Sequence, residues 1–122
     1  MVKRSVPEKG DIWLINPDPT SGRELRGPHY FLVVTEAALN AAMGVSLCCP
    51  ISTVAVGARS AGVTVAVTAD STKSGEVRGV VLCHQVRALD LKERKAQLYT
   101  KAESCLTDEV VMKLVDIIDP QM

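Results

Sequence analysis

Val63-Thr64-Val65-Ala66-Val67-Thr68 alternates a branched apolar side chain with a small or polar one at every step. Successive side chains of a strand point to opposite faces, so this two-residue period describes a β-strand with one face in a core. Apolar runs of similar length lie on either side of it. Ile12 to Ile15, Tyr30 to Thr35, Val45 to Ile51, Gly79 to Val86 and Ala96 to Thr100 each read as strands. Asp70 to Glu76 reads as a turn between two of them. Glu36 to Met43 is rich in alanine and predicts a short helix ended by Gly44. Thr107 is placed to cap a second helix, with Asp108 and Glu109 near its positive end. Val110, Val111, Leu114, Val115, Ile117 and Ile118 give that helix an apolar face, and Pro120 follows its end. Five or six short strands with little helix between them predict a mainly β protein, a small antiparallel barrel or sandwich with one inserted and one C-terminal helix.

The 122 residues fit one domain, 1–122, and show no repeat, linker or low-complexity tract. Fourteen basic and fourteen acidic residues give a formal net charge of zero, with no basic run. That argues against a protein that coats long nucleic acids by charge, but not against one that holds a few phosphates in a groove. Trp13, Tyr30, Phe31 and Tyr99 are the only aromatic residues, too few for an extended base-stacking platform. The cysteines, Cys48, Cys49, Cys83 and Cys105, form no Cys-x-x-Cys pair, and there are only two histidines. Zinc spacing is therefore missing, and the thiols read as small buried hydrophobes, with Cys48 and Cys49 on opposite faces of a strand. No phosphate-binding glycine loop, dinucleotide fingerprint or His-Glu-x-x-His occurs, so no cofactor or metal is implied. The N-terminus is polar, and no apolar stretch approaches membrane-spanning length, which predicts a soluble cytoplasmic protein.

Asn16 to Gly27 is a polar loop containing Asp18, Arg23, Glu24 and Arg26, and His29 follows it at the entry to a strand. His84 lies at the end of another predicted strand, beside Gln85. Both histidines thus fall at strand ends near charged segments, where sites tend to be built. Gly57 to Gly62, with Arg59 inside it, reads as a further mobile loop. Taken from spacing alone, Glu24 is equally a loop carboxylate paired with Arg23 or Arg26, Ser52 a hydroxyl closing a turn, and His84 a strand-end residue bonded to Gln85 or backbone.

Several segments, in order, resemble the MazF/PemK/Kid toxins. Gly10-Asp11-Ile12-Trp13 is similar to their opening strand, and Asp18-Pro19-Thr20-Ser21-Gly22-Arg23-Glu24-Leu25-Arg26-Gly27 to their signature loop. Leu32 to Thr35, Asn40, Gly44 and Pro50-Ile51-Ser52-Thr53 continue the pattern, and Gly79 to Asp90, with Arg94 beyond, matches a later block. The resemblance implies an SH3-like barrel of five to seven strands, a homodimer, and a MazE-like antitoxin whose disordered tail folds over the RNA groove. It implies a metal-independent endoribonuclease that cuts single-stranded RNA at short sites and leaves a cyclic phosphate. The substrate's own 2′-hydroxyl is then the nucleophile, so the protein must supply a base, an acid and fixed positive charge or donors. Many family members carry an Arg-Pro pair where this chain has His29-Tyr30, and an acid where it has His84, which suggests a histidine-containing subgroup. The roles implied are His29 at the chemistry, Ser52 as donor to the phosphate and Glu24 as a proton acceptor or orienting group. Arg23, Arg26, Thr53, Arg59, His84 and Gln85 are the implied RNA-binding set, with His84 either completing an acid–base pair or contacting a base. Two other readings remain: an inactive relative that only binds antitoxin or RNA, and a gyrase-binding toxin of the CcdB type. The second lacks support because the chain ends Asp119-Pro120-Gln121-Met122, with no tryptophan nearby.

Overall fold

The computed structural model describes residues 6–53 and 62–121. Among them seven strands form one antiparallel sheet. They are β1 (Asp11–Ile15), β2 (His29–Val33), β3 (Ser46–Ser52), β4 (Thr64–Val67), β5 (Gly79–Leu82), β6 (Arg87–Leu89) and β7 (Gln97–Lys101). Helix α1 (Ala37–Met43) joins β2 to β3, and α2 (Ser104–Ile118) follows β7. The sheet order is β4-β5-β3-β2-β1-β7, and β6 pairs with β3 beside β5. The alternating stretch becomes β4, with Val65 and Val67 buried and Ala66 exposed.

Both faces of the central strands are covered, which is why β2 and β3 read as continuous apolar runs instead of alternating ones. Ile12, Leu32, Cys49, Ile51 and Val81 feed one core, against which α2 packs through Leu106 and Val110. Trp13, Ile15, Phe31, Val33, Cys48 and Leu89 feed the other. Cys48 and Cys49 do face opposite ways, into different cores. Asp11 is fully buried beneath the second core and fully engaged. Its carboxylate accepts from the Glu8 N–H at 2.8 Å and the Trp13 indole at 3.2 Å, and pairs with Lys101 at 3.4 Å. A buried charge with three such partners is tolerated where an unpaired one is not.

The sheet curls so that its ends approach. Thr72 bridges Ala102, Lys73 N–H donates to the Lys101 carbonyl at 2.8 Å, and Glu103 N–H donates to the Ser71 carbonyl at 2.7 Å. The Tyr99 hydroxyl donates to Glu76 across the same seam, which pushes the phenol up to about 12. The result is the expected antiparallel architecture, seven strands with a short inserted helix and a C-terminal one. α1 ends as predicted, with Gly44 at φ 73° returning its N–H to the Asn40 carbonyl.

Four expectations are corrected. First, α2 begins at Ser104 with Glu103 at its N-cap, because the seam pins Ala102 and Glu103 and the chain must turn there. Thr107 is therefore inside the first turns, buried, and its hydroxyl has no partner instead of capping. Second, the buried stripe of α2 is Leu106 and Val110 with Leu114 and Ile117 beside them, while Val115 and Ile118 are 52% and 76% exposed. Third, the predicted strand Gly79 to Val86 stops at Leu82, turns through a 3-10 segment at Cys83–Gln85, and resumes as β6. Fourth, Cys105 is exposed, unlike the other three thiols.

Burial pushes the Cys48 thiol from its ordinary 9.0 up to about 12 and the Cys83 thiol up to about 11, and raises that of Cys49 as well. An aromatic disulfide reagent at pH 8 is expected to titrate one thiol in the folded protein, that of Cys105, and four after unfolding. Above pH about 9 the unfolded chain loses thiol protons that the folded chain keeps, so the urea midpoint should fall as pH rises toward about 11.

Candidate active site

The interruption between β5 and β6 builds one wall of the site. On one edge of β3, Ile51 and Ser52 pair with Val81 and Val80, and Cys48, Leu47 and Ser46 pair with Arg87, Ala88 and Leu89. Cys49 and Pro50 lie opposite the gap, and Pro50 has no N–H to offer a ladder. The turn that fills the gap is anchored by buried Cys83 and closed by Val86 N–H to the Cys83 carbonyl at 3.2 Å. It carries His84, exposed, and Gln85, half-buried, out of the sheet.

The facing wall is the polar loop after β1. Gln85 reaches it with both ends of its carboxamide: Oε1 accepts from the Leu25 N–H at 2.9 Å, and Nε2 donates to the Arg23 carbonyl at 3.3 Å. Within the loop, Asp18 Oδ1 accepts from the Gly27 N–H and the Thr20 hydroxyl, both at 3.2 Å. Glu24 Oε1 accepts from the Ser21 N–H at 2.7 Å, so its plain role is closing a turn, and not pairing with Arg23 or Arg26. Between the walls lies a cleft of about 520 Å³ lined by Pro17, Arg23, Glu24, Leu25, Phe31, Pro50, His84, Gln85, Val86 and Arg87. Its floor is apolar, formed by the cross-strand pair Phe31 and Pro50, and its rim holds two guanidiniums, one carboxylate and one imidazole.

His29 opens β2 just beyond this lining. Its Nδ1 lies 3.0 Å from the Gly27 carbonyl, and a carbonyl only accepts, so Nδ1 carries the proton. The neutral ring then presents a lone pair at Nε2. Tyr30↔Ile51 is the last pair of the β2–β3 ladder, and His29 and Ser52 each lie one residue beyond it, two residues from Phe31 and Pro50 respectively and so on their side of the sheet. Ser52 is 6% exposed, held at the end of β3 by a close approach of Gly79. A Cβ on Gly79 would sit 1.9 Å from the Ser52 carbonyl oxygen, and Gly79 has φ 141°, a conformation open to glycine.

Of the residues singled out from the sequence, Arg23, Glu24, His84 and Gln85 thus share one cleft, while His29 at the start of β2 and Ser52 at the end of β3 lie outside its lining. Arg26 and Thr53 are exposed beside it and outside its lining, and Arg59 lies outside the described residues. Sequence reasoning assigned no role to Arg87, Pro17 or the floor residues. Arg87 had a usable signal, since it sits two positions beyond Gln85, but the turn between them hid the change of direction.

Fold and site define a small curled β protein that presents a charged cleft between a loop and a strand break. The profile of the PemK-like, MazF-like toxins of type II toxin-antitoxin systems matches residues 8–118. The chain is 37% identical over 120 residues to the endoribonuclease toxin ChpB of Escherichia coli K12, covering 98% of this chain and 100% of that protein. It is 32% identical over 116 residues to the Escherichia coli endoribonuclease PemK, covering 95% and 85% respectively. The crystal structure of MazF from Deinococcus radiodurans superposes with a TM-score of 0.82 at 30% identity, covering 94% of this chain and 98% of that one. The chain belongs to the PemK/MazF family of type II toxins.

Gly79→Ala should displace the end of β3 that carries Ser52. The expected cost is about 2–4 kcal/mol, from a backbone clash added to an unfavourable φ. Urea denaturation measures it, and a cost below about 0.5 kcal/mol would mean that Ser52 is not held by this contact.

Proposed function

We propose that the chain is a cytoplasmic endoribonuclease toxin that cuts single-stranded RNA, mRNA above all, at short sequence sites without a metal. The observation that carries this reading is a charged cleft lined by Arg23 and Arg87 together with a nearby imidazole whose Nδ1 carries the proton, leaving Nε2 to accept one. RNA entering between the loop and the Cys83–Gln85 turn sets its phosphates against Arg23 and Arg87, with the exposed Arg26 and Thr53 as further contacts. His29 Nε2 takes the 2′-hydroxyl proton, and the resulting alkoxide attacks the adjacent phosphorus. The P–O5′ bond then breaks, leaving a 2′,3′-cyclic phosphate and a 5′-hydroxyl. His84 protonates the leaving 5′-oxygen, Ser52 donates to a phosphoryl oxygen, and Glu24 orients the loop or accepts a proton. General acid–base help of this kind contributes about 10²–10⁴-fold, and fixed donors at the phosphate contribute comparably.

The family is one of paired toxins and antitoxins, and the MazE–MazF complex of Deinococcus radiodurans superposes on this chain with a TM-score of 0.75 at 27% identity. That supports a cognate MazE-like antitoxin as partner, and the family resemblance implies a homodimer as the working unit. Among the described residues no helix is long and apolar enough to cross a membrane.

The test is incubation of purified, antitoxin-free protein with long single-stranded RNA in EDTA. Wild type should cleave, and a substrate with deoxyribose at the mapped cut site should not. His29→Ala should slow cleavage about 10²–10⁴-fold. Undiminished cleavage by His29→Ala would remove that residue from the chemistry. Absence of cleavage by folded wild type would favour a relative that binds antitoxin or RNA only.

A further inference from the structure

Arg94 does not line the cleft, yet it holds the wall of it. The residue sits on the turn between β6 and β7, which closes on itself without using the arginine side chain. Arg94 N–H donates to the Asp90 carbonyl at 3.0 Å, Ala96 N–H to the Leu91 carbonyl at 2.9 Å, and Glu93 N–H to the Asp90 carboxylate at 2.9 Å. Leu91 is buried in the second core, so the turn is a fixed mount. From it, Arg94 Nη1 donates to the carbonyls of Asn16 and Asp18, each at 3.0 Å. Those two carbonyls flank Pro17, which is buried and lines the cleft. One charged nitrogen with two hydrogens thus fixes the Asn16–Pro17 and Asp18–Pro19 peptides, which bracket the Pro17–Asp18 step of the cleft wall, at the point where the loop leaves β1. Gln85 fixes the same loop at Arg23 and Leu25, from the opposite side of the cleft.

We propose that Arg94 is a positioning residue for RNA cleavage: by clamping the carbonyls on either side of Pro17 it fixes the loop that presents Arg23 to the substrate phosphate. The inference rests on the RNA-cleaving reading of this cleft. Arg94 works through main-chain oxygens and touches no substrate, so its contribution depends on the side chain the loop carries. Neither the core nor the ladder depends on it, since its turn is bonded by backbone and by Asp90.

The experiment is a double-mutant cycle on the full-length protein, using an RNA with a mapped cut site, with Arg94→Met, Arg23→Ala and the pair. Arg94→Met keeps the apolar stem and removes the donors. It should lower kcat/KM about tenfold in the wild-type background, chiefly through KM, and less than about threefold in the Arg23→Ala background. Arg94→Lys restores a cation at the same carbonyls and should recover activity to within about threefold of wild type. Amide exchange in residues 16–28 should quicken in Arg94→Met while that of β1 and β2 and the urea midpoint stay put. Equal losses in both backgrounds would overturn the proposal and make Arg94 an independent substrate contact. Unchanged exchange in the loop would overturn it outright. A wild type that cleaves no RNA would instead defeat the functional reading, and the exchange measurement alone would then decide whether Arg94 holds the loop.

Discussion

β3 carries two antiparallel neighbours on one edge because β5 and β6 are a single course of chain broken by the turn Cys83–Gln85. A backbone that leaves a ladder must satisfy its polar groups elsewhere or face water. Here buried Cys83 fixes the turn from below, Pro50 opposite the break has no N–H to satisfy, and Gln85 extends the break outward to the loop. Remove that departure and His84 and Gln85 become ordinary strand residues. The loop then loses its contacts at Arg23 and Leu25, and Arg87 changes register. The cleft is therefore a consequence of a local defect in an otherwise regular sheet, which is a common way for a scaffold to present chemistry.

The fold was largely legible because its signals are local. Val63 to Thr68 declares its period within six residues, Gly44 ends α1 with a left-handed residue, and the strand runs around them are bounded by turn formers. Errors fell where a distant contact decides. The start of α2 is fixed by the seam that joins Ala102 and Glu103 to the segment after β4, about thirty residues earlier in sequence, so Thr107 offered a capping signal that tertiary structure overrode. The break after Leu82 was likewise invisible, since Cys83-His84-Gln85-Val86 holds no glycine or proline to end a strand. Only the packing of Cys83 and the place of Pro50 opposite it show why the chain turns.

The site was legible in part, for a related reason. Arg23, Glu24, His84 and Gln85 stand out as polar groups in a loop or at a strand end, and the structure gathers them in one cleft. Sequence separation concealed what holds them together: Gln85 meets Leu25 across sixty residues, and Arg94 meets Asn16 across seventy-eight. Phe31 lies in an apolar run and is indeed buried, as is its cross-strand partner Pro50, and only the structure shows that both lie beneath the cleft. His29 gained a definite tautomer only when its distance to the Gly27 carbonyl was known.

The loop's long-range attachments share one property: they grip peptide groups. Gln85 takes hold of an N–H and a carbonyl, and Arg94 takes hold of two carbonyls, whatever residues happen to bear them. Asp18 and Glu24 are the loop's own internal braces, but Arg23, Leu25 and Arg26 contribute no side chain to the fastening. Their identities can thus drift across a lineage while the frame that displays them stays intact. A cutter built this way is suited to acquiring new target preferences by exchanging a few side chains on a constant mount.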